Sequence, residues 1–426
     1  MYWEKHIETL DEKTLKETQL KMINENLGKA GEAPFYRNTP IKQIKTLKEF
    51  NEVPFTKKQD LRDHFPYGFL RKDLAEAVRL HSSSGTTGNP TVVFHTKADI
   101  KNWTNQVTRC MYMIGVRRQD VFQNTMGYGL FTGGLGLHYG AEELGALTIP
   151  IGPGNSRRQI WFMRTFGTTV VHILPSYALR LYSLFAEMNL DPKKDTKLKI
   201  FIIGSEPHSE KLRRQIEGLF GVKAYNSYGL SEMCGPGVGF ECPCQDGIHL
   251  WEDYYYVEVI NPKTEEPLPP GEEGELVLTT LQKEAMPLLR YRTGDLTRII
   301  PGRCRCGRIH KRIERIKGRA DDMLIINGVN LFPIQIEETI MKIPGVGNNY
   351  LIEVKTENFM DKLYVKVEVD NKIFEGTLSG LTHLQNKITG ELKTEITVTP
   401  VVQLAEPGSL PVWEGKAKRV RDLRKN

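Results

Sequence analysis

From Val92 to Asn226, short β-branched runs alternate with stretches of helical periodicity, and this alternation restricts the fold more than any other feature of the sequence. The runs are Val92–Thr96, Val121–Thr125, Leu147–Ile151, Val170–Leu174, Ile200–Gly204 and Val222–Asn226. Arg157–Phe166, Tyr177–Met188 and Glu210–Phe220 carry helical spacing between them. Strand and helix in alternation predict an α/β sheet with helices on its faces, and such sheets bind ligands at their strand ends. Past Gly247 the pattern shortens to alternating strands at Tyr254–Ile260, Gly274–Thr280, Leu288–Thr293 and Thr297–Ile300. Pro262, Pro267, Pro269, Pro270 and Gly271 mark turns among them, so residues 247–316 read as a β-rich subdomain. The polar segment Lys317–Asp322 reads as a linker. Beyond it, Met323–Ile326, helices at Pro333–Met341 and Leu378–Leu392, and strands near Tyr350–Val354, Lys362–Val369 and Glu395–Val402 predict a small α+β domain. The expected division is a large α/β domain over residues 1–320 and a mobile C-terminal domain over 321–426, joined by a hinge. An amphipathic helix is expected over residues 7–28.

A chain of 426 residues is too long for one core, which agrees with that division. Its net charge of +6 is mild and interspersed, which argues against a nucleic-acid partner. No run approaches membrane-spanning length and the N-terminus has no apolar leader, so neither a membrane nor export is expected and the location is read as cytoplasmic. The six cysteines do not make a disulfide framework in a chain of this size.

Chemistry concentrates first in Ser82-Ser83-Ser84-Gly85-Thr86-Thr87-Gly88-Asn89-Pro90-Thr91. Glycines let consecutive N–H groups turn inward around an anion, and the hydroxyls of Ser84, Thr86 and Thr87 add uncharged donors. These are the parts of a loop that wraps a polyphosphate. A P-loop needs Lys directly after its last glycine, and here Asn89 follows Gly88; the bland alternative is a flexible polar loop. In Asn226-Ser227-Tyr228-Gly229-Leu230-Ser231-Glu232, Tyr228 can stack on a base and Glu232 can hold a cation beside phosphates. In Tyr291-Arg292-Thr293-Gly294-Asp295, the Asp295 carboxylate can accept two ribose hydroxyls; its bland alternative is an acid in a tight turn. Tyr128-Gly129-Leu130-Phe131-Thr132-Gly133-Gly134 sets aromatics among small residues, which suits a flat aryl group bounded by Tyr128, Phe131 and Gly134.

In this order, these pieces resemble the adenylate-forming superfamily of acyl-CoA synthetases, and within it the phenylacetate–CoA ligases. The resemblance covers nearly the whole chain. It rests on the loop at 83–88, Gly204-Ser205-Glu206-Pro207, Tyr228-Gly229-Leu230-Ser231-Glu232, Tyr291–Asp295, Gly318-Arg319-Ala320-Asp321-Asp322 and the terminal Gly415-Lys416. The branch is indicated by residues 127–134, Trp251-Glu252-Asp253 and Gly328-Val329-Asn330-Leu331-Phe332-Pro333. It implies ATP-dependent activation of an aryl acid such as phenylacetate, through an acyl-adenylate, to the CoA thioester. Ser84, Gly85, Thr86, Thr87 and Gly88 would take the β- and γ-phosphates, and Glu232 the Mg²⁺. Ser205, Glu206, Pro207, Asn226, Tyr228 and Gly229 would line the adenine, with Asp295 and Arg319 on the ribose. Lys416 would stabilise the charge of adenylation and Asp321 would be the hinge. A homodimer is also implied. Two positions depart from the family pattern: Thr91 replaces the superfamily's lysine, and Asn327 stands where the branch carries a basic residue, near the thioester-forming site. Asn327 keeps open an adenylyltransferase that forms or transfers AMP without CoA. A third possibility is a zinc-stabilised scaffold that lost its chemistry, against which Glu232, Asp295 and Lys416 stand together.

Cys242, Cys244 and His249 lie before the strands of the β-rich region, and Cys304-Arg305-Cys306-Gly307 after them. A closed tetrahedral set of thiolates and imidazole is what structural zinc favours. Cys304 and Cys306 are expected with Cys242 and His249; Cys244 and His310 are alternatives, and the bland reading is reduced cysteines.

Overall fold

The computed structural model describes residues 1–425 apart from 38, 40, 41, 83–88, 321, 322, 328, 358, 359, 371–376 and 412–417. Ser84, Gly85, Thr86, Thr87, Gly88, Asp321 and Lys416 therefore lie outside the described residues. The chain forms two compact units: residues 1–173, 196–205 and 225–316 make the first, and 174–195, 206–224 and 317–426 the second.

The first unit carries most of a nine-stranded sheet. Its order is 299–300, 312–313, 248–250, 235–241, 223–230, 200–204, 170–173, 121–124 and 147–149. The strands from Ile200–Gly204 to Leu147–Ile149 are parallel. They are rich in Val and Ile, and Val170, Val171, Ile173, Phe201, Ile202 and Ile203 are fully buried, as expected of a sheet covered on both faces. From Lys223–Leu230 outward, each pairing is antiparallel. Strands at 248–250, 299–300 and 312–313 thus extend the large sheet, while Tyr255–Ile260, Gly274–Thr280 and Tyr291–Thr297 pair antiparallel in another. A short hairpin, Arg79–Ser82 with Val92–His95, brackets the Ser/Thr/Gly loop, with Ser82 opposite Val92.

The second unit has its own core. Strands Val346–Glu357, Met360–Val369, Val401–Ala405 and Val420–Asp422 form a sheet packed with helices Pro333–Ile340 and Leu378–Ile396 around Ile336, Val354, Val365, Ile388 and Leu392.

Among the boundaries that differ from expectation, three have a clear local reason. The helix expected over 7–28 divides into Lys5–Glu8 and Glu12–Ala30, because the Asp11 side chain accepts the Thr14 N–H and starts a new helix. The strand expected from Leu288 begins at Tyr291: Leu288 and Leu289 donate to the Thr280 and Tyr36 hydroxyls, and Arg290 takes φ +42°. Its guanidinium is buried on Glu258 and the Val53 carbonyl. The strand expected from Glu395 begins at Val401, since the preceding helix runs to Ile396 and Thr397 caps it at φ +56°.

Buried charge ties the N-terminus into the first unit. Arg109, on helix Lys97–Met113, is 1% exposed and donates to both Asp253 oxygens at 2.8 and 2.9 Å and to Glu4 at 2.6 Å. Removing one member of such a set strands the other charges in a poorly solvating interior. Arg109→Ala should therefore lower unfolding stability by about 3–5 kcal/mol in urea titrations. A loss below about 1 kcal/mol, the value of a surface pair, would contradict this account.

Candidate active site

Among the described residues of the first unit, strand ends and loops bring Tyr228 to Asp295 and the acyl segment to Ser231. Tyr228 lies near the end of strand Lys223–Leu230, where a register shift between Tyr228 and Gly229 breaks the ladder with Gly235–Glu241. Its hydroxyl donates to Asp295 Oδ2 at 2.5 Å, and both side chains are buried. Asp295 therefore faces Tyr228 from the neighbouring sheet and is not merely an acid in a turn. The turn Ser231–Met233 follows, and Glu232 is 6% exposed. The Lys58 ammonium stands 3.8 Å from Glu232 Oε1, while Lys283, also buried, donates to the Glu232 carbonyl at 3.2 Å. The Asn226 amide donates to Glu241 at 2.8 Å.

Two glycines allow the strand ends to meet. A Cβ on Gly204 would lie 2.3 Å from the Ser227 carbonyl oxygen, and one on Gly229 would lie 2.0 Å from that of Gly235. Ser205, exposed, follows with φ +64°.

The acyl segment is held from two sides. Asn124 donates to the Tyr128 hydroxyl at 3.1 Å and to the Gly134 carbonyl at 2.6 Å, closing the loop between them. His138 Nδ1 lies 3.2 Å from the same hydroxyl, and burial pushes the Tyr128 phenol up to about 12. Phe131 is 52% exposed, with its ring against Gly133. The loop also reaches the other motifs. Thr132 Oγ1 is 3.1 Å from Ser231 Oγ, and the Leu130 carbonyl accepts both the Ser82 amide at 2.9 Å and His81 Nδ1 at 3.0 Å. His81 and His95 pack edge-on to each other, and His95 stacks on Trp103. Burial depresses both imidazoles, His95 well below the usual range, with the Lys283 charge acting the same way. Lys58, Asn124, His81 and Lys283 were not singled out from the sequence. Only Asn124, a polar residue closing a buried strand, leaves a local signal.

In the second unit, Glu206 accepts the Ser176 amide at 2.6 Å and its hydroxyl at 3.0 Å. Burial raises its carboxyl above the usual range despite those bonds and the nearby Arg419 charge. Pro207 is exposed and Arg319 half-buried. Asn327 has a local reason of its own. It turns the hairpin Leu324–Ile326/Val329–Leu331 at φ +49°, a conformation Asn tolerates, and its carboxamide exchanges two hydrogen bonds with the Asp361 main chain.

Cys242, His249, Cys304 and Cys306 form a separate cluster whose candidate ligand atoms all lie within 4.8 Å of one another. Register explains the meeting. His249 opposes Arg312, and 312–313 pairs with 299–300, so the Cys304–Cys306 turn returns beside the end of strand Gly235–Glu241. Cys242 and Cys304 sulfurs are 3.6 Å apart, and Cys306 Sγ is 3.4 Å from His249 Nε2. A tetrahedron of about 2.3 Å bonds has edges of about 3.8 Å. His249 Nδ1 donates to the His310 carbonyl at 3.2 Å, which leaves the Nε2 lone pair facing Cys306 and able to ligate a metal. His310 itself is taken up elsewhere: its Nδ1 accepts the Glu252 amide at 3.3 Å.

Gly229→Ala should cost about 1–3 kcal/mol through overpacking against Gly235. Gly28→Ala, on an exposed helix face with nothing within 4 Å, should instead gain about 0.4–1 kcal/mol. Paired thermal and urea unfolding would read both, and equal signs would refute the close-approach account.

Residues 38–282 match the AMP-binding enzyme family and residues 328–424 the AMP-binding enzyme C-terminal domain. The chain is 42% identical to a phenylacetate-coenzyme A ligase of Thermus thermophilus over 100% of both chains. It is also 42% identical to one of Pseudomonas putida, over 98% of this chain and 96% of that one. Among solved structures, 2-hydroxyisobutyryl-CoA ligase in its postadenylation state with an acyl-AMP aligns at a TM-score of 0.93. That alignment has 29% identity and covers 100% of this chain and 93% of the other.

Proposed function

The chain belongs to the AMP-binding enzyme family, and on that premise we propose the acid it activates and the residues that do so. It is an AMP-forming acid–CoA ligase, for which end-to-end similarity to phenylacetate–CoA ligases is the observation that carries most weight. The carboxylate attacks the α-phosphate of ATP, giving acyl-adenylate and pyrophosphate; the CoA thiolate then displaces AMP. Such chemistry asks for positioning and charge stabilisation more than for covalent work by the protein.

The acid is phenylacetate or a similar aryl acid. Tyr128, Phe131 and Gly134 would receive it, supported by the bonds from Asn124 that shape this loop. Ser84 to Gly88 would hold the β- and γ-phosphates, Tyr228, Gly229, Asn226 and Ser205 to Pro207 the adenine, and Asp295 with Arg319 the ribose. The buried hydroxyl–carboxylate pair of Tyr228 and Asp295 supports the nucleotide roles. Glu232 would hold Mg²⁺, its carboxylate already facing a cation. Lys416 would stabilise the transition state, and Asp321, near a domain boundary at about 320, would be the hinge. The assembly would be a cytoplasmic homodimer. Similarity to CoA ligases over nearly the whole chain disfavours the alternative of an adenylyltransferase that forms or transfers AMP without CoA.

The deciding experiment is acid-dependent ATP–pyrophosphate exchange over a substrate panel, with thioester and AMP measured with and without CoA. Aryl acids should exceed acetate and long-chain acids, with thioester only when CoA is present; a preference for acetate or fatty acids would overturn the substrate. Lys416→Ala should slow exchange about 10²–10³-fold while sparing thioester formation from preformed acyl-adenylate. Equal losses in both half-reactions would refute that role.

We also propose a structural zinc on Cys242, His249, Cys304 and Cys306, a set whose sulfur and nitrogen spacing suits tetrahedral coordination. Protein purified without added metal should carry about one zinc per chain. The pair Cys304→Ser/Cys306→Ser should lose it and melt lower, with similar activity per folded molecule. Absence of zinc from the unmodified protein would end this assignment.

A further inference from the structure

Glu232 stands on a strained turn. Ser231–Met233 is a single turn of three residues, and the chain leaves it through Cys234 at φ +127° and Gly235 at φ +123°. A non-glycine residue so far into positive φ is costly and persists only where its surroundings over-determine it. The exit is also closely packed: a Cβ on Gly235 would lie 2.6 Å from Thr132 and 2.8 Å from Trp103. Something must hold this turn in place.

Two buried donors do so. The Lys283 ammonium donates to the Glu232 carbonyl at 3.2 Å, and the Tyr255 hydroxyl donates to the Met233 carbonyl at 2.7 Å. Consecutive carbonyls of the turn are thereby pinned by side chains from the neighbouring sheet region. Lys283 is 5% exposed, and among the described residues its ammonium makes this one hydrogen bond and no ion pair. Burying an ammonium without a carboxylate is expensive, so packing alone gives no reason for a lysine here. The main chain that carries it is fixed from helix Lys97–Met113. Asp99 accepts the Glu284 and Ala285 amides at 2.6 and 3.0 Å, and Asn102 donates to the Gln282 carbonyl at 3.0 Å. Gln106, on the same helix, places Oε1 2.8 Å from the Tyr255 hydroxyl. Both donors are therefore rigidly mounted.

We propose that Lys283 and Tyr255 are positioning residues for adenylation: they clamp the turn so that the Glu232 carboxylate is presented to the Mg²⁺ that accompanies ATP. The proposal rests on reading Glu232 as the Mg²⁺ ligand, for which a buried carboxylate oxygen is the fitting donor type. Lys283 and Tyr255 act through the main chain of the turn and exchange no proton with substrate. Their contribution is to keep the Glu232 side chain from drifting when the strained backbone at Cys234 relaxes.

Calorimetry of the full chain with a non-hydrolysable ATP analogue, with and without added Mg²⁺, tests this. The quantity read is the factor by which Mg²⁺ tightens binding, and Glu232→Gln sets how far that factor can fall. Lys283→Met should reduce it about 10- to 100-fold within that limit, the worth of a charged hydrogen bond. Tyr255→Phe should reduce it about 2- to 10-fold, the worth of a neutral one. Affinity without Mg²⁺ should match the unmodified protein, which a variant that merely loosens the fold would not preserve. Combined with Glu232→Gln, Lys283→Met should lower the factor no further. Should Lys283→Met not fold, Tyr255→Phe decides alone. If Glu232→Gln lowers the factor while the clamp variants leave it unchanged, or weaken binding equally with and without Mg²⁺, the clamp is overturned and the Glu232 reading stands. A factor untouched by Glu232→Gln overturns both.

Discussion

The site depends on where strand Lys223–Leu230 stands in the large sheet. On one side of it in the strand order lie the parallel strands, and on the other the antiparallel run of 235–241, 248–250, 312–313 and 299–300. A parallel sheet sends its connections over its faces and leaves its C-terminal strand ends open, where ligands bind. At this strand the end also bends back at once into a hairpin, because the register slips at Gly229 and the chain approaches Gly235 too closely for a side chain. Tyr228 is thereby aimed at Asp295, and Glu232 is turned in beside Lys58. Without that break the strand would continue its ladder and carry both side chains away from the cluster.

Around this junction, side-chain polar groups span distances that the ladders do not. Glu8 and Arg308 are both fully buried and joined at 2.7 Å, while Glu8 also accepts the amides of Trp3 and Glu4. Tyr2 donates to the Cys306 carbonyl beside the cysteine–histidine cluster. The first residues of the chain are thus held by the loop that carries Cys304 and Cys306. Arg109 extends the same network from helix Lys97–Met113 to Asp253, with its guanidinium over the Trp251 ring at 4.9 Å. Each charge there is satisfied only when segments hundreds of residues apart are all in place, so folding of this region is expected to be cooperative.

Local chemistry made much of this readable from the residues in order. Buried parallel strands must be apolar on both faces, so Val170–Ile173 and Ile200–Gly204 announce themselves as β-branched runs. Asp295 after a glycine, Glu232 after Tyr228-Gly229 and the paired cysteines each carry their chemistry in the residue type itself. Where a residue's setting comes from distant partners, the sequence is silent. Leu288 and Leu289 look like strand, yet their amides go to hydroxyls of Thr280 and Tyr36, and Arg290 bends away to bury its charge.

By itself, then, the sequence determined the alternation of strand and helix, the family to which the chain belongs and the residue types available for nucleotide and metal chemistry. These follow from short-range periodicity and from side chains whose chemistry does not depend on their surroundings. Only the tertiary structure decided which of them meet. It set His249 beside Cys306 through the pairing of 248–250 with 312–313, Tyr228 against Asp295 across two sheets, and Lys58 against Glu232 from a helix some 170 residues earlier. Strand register and loop closure over such separations are set by the whole core at once, and no local pattern of residues encodes them.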